Sequence, residues 1–193
     1  MEQKITYFEE LKKENTQKTF EVALQRGEEL GINTYAVAST SGSTGVEASK
    51  AFEGQNLIIV SHSYGSREPD KWFFTDENLA VLKEKGVPIV TAAHAFGGIT
   101  RAMNQMSIQG APTTYVIGDI VANTLRMFGQ GMKVVVEIAC MAADAGMVRC
   151  DTDIISIGGS GRGADTAVVL KPANSHRLFQ TKIREIICKP KGF

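Results

Sequence analysis

Ala38-Ser39-Thr40-Ser41-Gly42-Ser43-Thr44-Gly45 follows the apolar run Tyr35-Ala36-Val37 and precedes Val46-Glu47-Ala48-Ser49-Lys50-Ala51-Phe52. The run and Ala38 read as a buried strand, and the later segment as a helix closed by Gly54. A strand that turns through hydroxyls and glycines into a helix start argues for an α/β fold. It is also a natural anion site. Glycine lets the backbone approach a ligand closely. The first helical N–H groups have no partner, and the helix dipole favours negative charge there. Phosphate is the expected guest; the alternative is a loop whose Ser and Thr only cap the helix. The sharper nucleotide signatures, a Gly-Lys-Ser/Thr ending or G-x-G-x-x-G, are absent.

Outward from this loop, the chain alternates helices and strands. Residues 1–14 are charged and mixed. Asn15 and Thr16 can cap a helix through about Leu30, with Phe20, Ala23, Leu24, Gly27 and Leu30 on one buried face and Gly31 as its stop. Leu57-Ile58-Ile59-Val60 reads as a second buried strand, of the kind found in parallel sheets covered on both faces. Thr75 caps a helix over 76–85 with acids in its first turn and lysines in its last. Val87 through Ala92 is a third strand, and residues 102–114 are left unassigned. From about Val116 to Phe128 a helix places Ile117, Ile120, Val121, Leu125 and Phe128 on one side. Residues 132–147 contain Val134-Val135-Val136, which favours strand. Yet Val135, Ile138, Met141, Ala142 and Ala145 keep helical spacing, so helix is expected. Asp153–Ile157 and Thr166–Leu170 are the fourth and fifth strands, and Ile183–Cys188 a sixth, placed at an edge because Pro190 follows. The expected architecture is one domain over 1–193 with three layers: a mostly parallel sheet, helices on both faces, and an antiparallel edge strand near the C-terminus.

Charge and cysteine usage exclude several function classes. Lys plus Arg and Asp plus Glu are 21 each, so no strong field exists to hold nucleic acid or an anionic membrane. Cys140, Cys150 and Cys188 are odd in number and widely spaced, which argues against a disulfide framework or a zinc site and fits the cytoplasm. No signal-peptide core is visible at the N-terminus, and no apolar run approaches the roughly 20 residues that span a bilayer. Two histidines without an obvious carboxylate partner do not suggest a metal site. The sequence sets no oligomeric state and leaves a homo-oligomer open.

Ligands of open parallel sheets bind beyond the carboxyl ends of the strands, where strand order reverses. The loops at 39–45, 61–68, 93–101 and 158–165 can therefore converge on one pocket. The first brings Ser39, Thr40, Ser41, Gly42, Ser43, Thr44 and Gly45; the second His62, Ser63, Tyr64, Gly65 and Arg67. The third brings His94, Ala95, Phe96, Gly97, Gly98 and Arg101; the fourth Gly158, Gly159, Ser160 and Arg162, with Asp165 and Thr166 at its end. His62 and His94 follow their strands at matching positions. They can bond a ligand or exchange protons near neutral pH, or only brace loop backbone. Tyr64 and Phe96 can stack on a flat ring or merely pack. Gly159-Ser160-Gly161-Arg162-Gly163 can be a second anion cradle or a turn between two strands. No loop hydroxyl reads as a nucleophile, because Gly-x-Ser-x-Gly is absent and no base is tied to one by sequence.

These segments resemble a known family. The Ser-x-Ser-Gly-x-Thr loop between strand and helix, the late Asp153-Ile154-Ile155-Ser156-Ile157-Gly158-Gly159, and Gly163-Ala164-Asp165-Thr166-Ala167-Val168-Val169-Leu170 are similar to the C-terminal α/β domain of pyruvate kinase. The likeness extends over Ala38–Gly45, Ser61–Glu68, Ala93–Arg101, Gly131–Gly146 and Ile157–Pro172, and favours helix for 132–147. In pyruvate kinases the loop after the first strand holds a phosphate of an allosteric sugar bisphosphate, a role that would map onto Thr40 through Thr44. The kinase commonly has Arg after Ser-Gly where this chain has Ser43. Kinase catalysis resides in a separate barrel for which 193 residues leave no room, so no pyruvate kinase activity is expected. Stand-alone, mostly archaeal members of that superfamily are associated with flavin mononucleotide (FMN). That resemblance implies a flavin phosphate on Ser39–Gly45, with the ring near His62, His94 and Gly159. A flavin-dependent redox reaction would follow if a substrate reached the ring, with His62 or His94 as proton donor. The alternative is a non-catalytic sensing module for a sugar phosphate or nucleotide; a third reading is a structural relative whose loops bind only adventitious anions.

Overall fold

A computed structural model describes residues 2–105 and 116–192 of the chain. The elements are β1 (Thr6–Phe8), α1 (Asn15–Leu30), β2 (Thr34–Ala38), α2 (Ser43–Ala51), β3 (Asn56–His62), α3 (Asp76–Glu84), β4 (Ile89–Ala92) and α4 (Gly98–Gln105). Then come α5 (Ile117–Arg126), α6 (Gln130–Asp144), β5 (Ile154–Gly158), β6 (Thr166–Lys171), a 3₁₀ helix (Ser175–Gln180) and β7 (Lys182–Pro190). Of the unassigned stretch 102–114, residues 106–114 lie outside the described residues.

One seven-stranded sheet has the order β1-β7-β6-β5-β2-β3-β4. The strands β5, β2, β3 and β4 run parallel, and β6 is antiparallel to both β5 and β7. Side chains alternate across a strand. Tyr35, Val37, Leu57, Ile59, Ile155 and Ile157 thus face one layer, where Phe20 and Ala23 of α1 and Ala48 of α2 pack. Ala36, Ile58, Val60 and Ile154 face the other, covered by Val135, Ile138, Ala139 and Ala142 of α6. Each of the four parallel strands is apolar on both sides for this reason, and the mostly parallel α/β sheet stands as expected.

Several details depart from the sequence expectations. The reversed strand is not at the edge. β6 is internal, and β7 is flanked by β1, whose Thr6, Tyr7 and Phe8 register with Cys188, Lys189 and Pro190. The ladder to β1 makes no demand on the Pro190 nitrogen, because in this register the Phe8 carbonyl oxygen accepts from the Lys191 amide, 2.9 Å away. No side chain caps α1: Asn15 Nδ2 donates to the Glu10 carbonyl, and Thr16 Oγ1 accepts from the Ala164 amide at 3.1 Å, tying α1 to the β5–β6 loop. Thr75 does cap α3, accepting from the Asn78 amide. In α5, Val121, Ala122 and Leu125 pack inward, but Ile117, Ile120 and, beyond the helix end, Phe128 are exposed.

The chain runs from β2 outward to β3 and β4, then returns to place β5 on the other side of β2. Strand order therefore reverses at the carboxyl end of β2, where the Ser/Thr/Gly loop begins.

Candidate functional site

The helix after β2 begins at Ser43, three residues earlier than its apolar pattern suggested. Ser43, Thr44 and Gly45 are thus its first turn. Gly42 precedes it with φ of 93°, in the left-handed region open to glycine. A Cβ there would lie 2.6 Å from the Asn78 Cβ and strike the Phe74 ring. Ser39 Oγ accepts from the Gly45 amide at 3.1 Å, and Ser41 Oγ contacts Ser43 Oγ at 3.1 Å. Hydroxyls and the opening turn of a helix so converge on one spot.

That spot opens into a cavity of about 410 Å³ at the carboxyl ends of the parallel strands. Ser39, Thr40, Ser41, Ser43 and Thr44 line one end, and His62, Arg67, His94 and Gly159 come from the three neighbouring loops. All four expected loops therefore contribute. The opposite wall is α6, preceded by the end of α5: Arg126, Gln130, Lys133, Val134, Glu137, Ile138 and Met141. Among the described residues the lining has four cationic side chains, Arg67, Arg101, Arg126 and Lys133, against one carboxylate, Glu137. Arg126 is held by neutral partners, Gln130 Oε1 at 2.8 Å and Asn123 Oδ1 at 2.7 Å. The balance favours an anionic guest.

A chain of hydrogen bonds crosses the floor of the cavity. Thr40 Oγ1 lies 2.9 Å from His62 Nε2, His62 Nδ1 2.5 Å from His94 Nε2, and His94 Nδ1 3.0 Å from Glu137 Oε2. The two rings are within 26° of parallel with centroids 4.6 Å apart, and the short nitrogen–nitrogen approach sets them edge to edge. Glu137 Oε2 also accepts from Lys133 Nζ, and its Oε1 accepts from the Phe96 amide at 3.1 Å. Lys133 and Glu137 are 4 % and 2 % exposed. A pair so buried persists only when each charge has its partner.

The charges set the protonation states. Burial pushes Glu137 upward, but the His94 hydrogen bond and the Lys133 ammonium outweigh it and hold the carboxyl at about 2. Burial, followed by the repulsion of His94, Arg67 and Arg101, holds the His62 imidazole down at about 4. Burial also lowers Lys133, with Glu137 opposing. Glu137 is thus a carboxylate and can only accept, so His94 Nδ1 carries a proton. With both rings neutral, His94 Nε2 accepts from His62 Nδ1–H, and His62 Nε2 accepts from the Thr40 hydroxyl.

The other expected site residues lie outside the lining. Gly42 packs against Phe74 and Asn78, and Gly45 lies over Ile59. The Gly65 amide closes its own loop on the Lys71 carbonyl. Tyr64 is exposed and stacks on Trp72, and Phe96 is buried with the Lys133 ammonium over its ring. Neither ring is offered to the cavity. Ser63, Ala95, Gly97 and Gly98 do not line it, and Gly158 is packed under Val134. Asp165 accepts from the Ser160 amide at 2.9 Å and from the Thr166 hydroxyl at 2.7 Å, closing the β5–β6 turn. Arg126, Gln130, Lys133 and Glu137 were not anticipated. Their one visible signal was a Lys and a Glu spaced i,i+4 inside an otherwise apolar helix, where charges are uncommon.

A family model described as "Pyruvate kinase, alpha/beta domain" matches residues 17–170. The chain belongs to that family. The match runs from α1 through β6 and so spans every cavity-lining element. Among the described residues, no helix is long and apolar enough to cross a membrane. No group of three His, Cys, Asp or Glu there could hold a metal ion.

Proposed function

We propose that this domain binds a phosphate-bearing small molecule in the cavity beyond β2, and that FMN is the first candidate. The observation that carries the reading is the convergence of the α2 start, five loop hydroxyls and a cationic lining in one concave space. Thr40, Ser41, Ser43 and Thr44 would hold the phosphate, with Arg67, Arg101 and Arg126 supplying countercharge. Val60, Val134, Ile138 and Met141 line the same cavity and would offer a flat ring apolar contact, which supports the cofactor reading. When bound, FMN would supply electron and hydride transfer. The protein's own part would be to orient the ring and to hold a proton at His62 or His94.

One observation favours the sensing alternative with a sugar phosphate: among the described residues, no Phe, Tyr or Trp lines the cavity. Thermal melts with inorganic phosphate, FMN and a sugar phosphate decide between the two, together with the visible spectrum of freshly purified protein. A yellow protein stabilised by FMN supports the flavin reading. A colourless protein stabilised only by the sugar phosphate supports the sensor. No stabilisation by any of the three sinks the phosphate reading itself.

A further inference from the structure

We infer that Thr40 is a phosphoryl-accepting nucleophile, activated by a relay of His62, His94 and Glu137, and that the cavity takes a phosphate ester or acyl phosphate as donor. The inference rests on the phosphate reading above and goes beyond it, from binding to group transfer. No base was tied to a loop hydroxyl by sequence, and the fold supplies one. Thr40 Oγ1 is 2.9 Å from His62 Nε2, and that nitrogen is the acceptor when both rings are neutral. The second ring and the buried carboxylate fix the base in turn, through His62 Nδ1–H to His94 Nε2 and His94 Nδ1–H to Glu137 Oε2. Nucleophile, base and orienting carboxylate form the arrangement that activates hydroxyls on unrelated folds, here with one extra imidazole. All four residues line the cavity, but His94 and Glu137 reach Thr40 only through His62, and Lys133 and the Phe96 amide lock the carboxylate, so His94 and Glu137 are positioning residues.

The electrostatics suit a dianionic donor. Burial first, and then the charges of His94, Arg67 and Arg101, disfavour an imidazolium at His62, which leaves its Nε2 lone pair free for the Thr40 proton. A phosphoryl group between those arginines offsets their field as the proton arrives. In the step, the Thr40 Oγ1–P bond forms and the bond from phosphorus to the leaving oxygen breaks. The hydroxyl proton passes to His62 Nε2, and the leaving oxygen collects it from there. No electron is gained or lost overall. Water attacking the phosphothreonine by the reverse proton path would return free Thr40 and inorganic phosphate.

The test uses the full chain with acetyl phosphate as probe, followed by peptide mass spectrometry. Phosphothreonine at position 40 is expected in the unmodified protein and phosphoserine in Thr40→Ser. Labelling should be at least about a hundredfold slower in His62→Gln, the usual contribution of a general base. An acetyl group on Thr40 would overturn the phosphoryl assignment. So would a protein whose melting temperature rises with inorganic phosphate but which gains no label, and in that case the binding reading would survive. Equal labelling of His62→Gln would remove the relay. Nitrogen-15 NMR of the histidines gives a readout that needs no variant. Both His62 and His94 should carry their proton on Nδ1 at neutral pH, and a proton on Nε2 of either ring would overturn the relay.

Discussion

Glu137→Gln should destabilise the protein by about 3 kcal/mol, and two independent routes give that figure. Glu137 accepts from three donors: His94 Nδ1, Lys133 Nζ and the Phe96 amide. Glutamine keeps the shape but replaces one acceptor oxygen with a donor. Whichever way the amide turns, it must face a donor with a donor, and the Lys133 ammonium loses its anion. Removing one partner of a buried ion pair costs about 3–5 kcal/mol. Lys133, already lowered by burial, can shed its proton and so keep the loss near the lower end. Linkage gives the second route. The carboxyl sits at about 2 in the fold, against about 4.3 in an unfolded chain, and each pKa unit is about 1.4 kcal/mol, so the gap is worth about 3 kcal/mol. A depressed carboxyl contributes stability that is complete above the unfolded pKa and lost as pH falls through the folded one. The difference between wild type and Glu137→Gln should therefore be full at neutral pH and shrink as pH falls below about 4.3. Urea unfolding of both proteins across that range is the assay. A difference below about 1 kcal/mol at neutral pH, typical of an exposed pair, or one that does not change with pH, would refute the reasoning.

His62 should make the protein acid-sensitive in a separate, higher window. An unfolded histidine takes a proton near pH 6.5, whereas His62, buried beside His94, Arg67 and Arg101 and opposed among the described residues by the Glu137 carboxylate, refuses one until about 4. The unfolded state therefore gains between those values, and wild type should lose more melting temperature on acidification there than His62→Gln. Parallel slopes for the two proteins would contradict this. Gly42→Ala should cost about 1–3 kcal/mol, because φ of 93° is strained for alanine and its Cβ meets the Phe74 ring and Asn78. It should also weaken the thermal shift with inorganic phosphate, since the α2 start is displaced; an unshifted urea midpoint would show that the loop relaxes freely. Gly131→Ala places a methyl against the Thr166 side chain and 3.0 Å from Asp165 Oδ1. A loss of about 1–3 kcal/mol is expected, and chemical denaturation measures it.

The parts of the fold legible in the sequence were those whose physics is local and redundant. Strands buried on both faces must be continuously apolar, so β2, β3, β5 and β6 announced themselves, as did the Gly31 stop of α1. β1 did not. It is three residues long, alternates in exposure, and is held by pairing with a strand that lies some 180 positions later in the chain. The Pro190 rule misled for a related reason. Proline excludes a strand from a sheet interior only if its missing N–H is needed, and the ladder to β1 bonds the Phe8 carbonyl through Lys191, not through position 190. The assignment of 132–147 to helix succeeded because apolar residues at spacing of three and four outweighed the preference of three valines for extended backbone.

The site divides along the same line. Its loop half was legible because hydroxyls and glycines after buried strands have few other uses. Its helix half was not, because a Lys and a Glu four apart on a helix ordinarily read as a solvated pair. Their burial comes from where α6 lies across the sheet, a tertiary fact. The relay occupies the middle ground. Ala38 registers with Val60 in the β2–β3 ladder, so Thr40 and His62 stand two residues beyond matched positions. His62 itself registers with Ala92 on β4, two residues before His94. Once β2, β3 and β4 are taken as parallel neighbours in that register, Thr40, His62 and His94 must gather at one end of the sheet. The sequence separation of 22 and 32 residues that hid the base from Thr40 is only the length of one crossover each. What register alone cannot supply is the carboxylate that fixes the tautomer, and that comes from the helix laid over the same end. The relay therefore depends on two separate features, the β2–β3–β4 register and the seat of α6. A change that displaces α6 without disturbing the sheet should leave Thr40 against His62 while freeing His94 to turn.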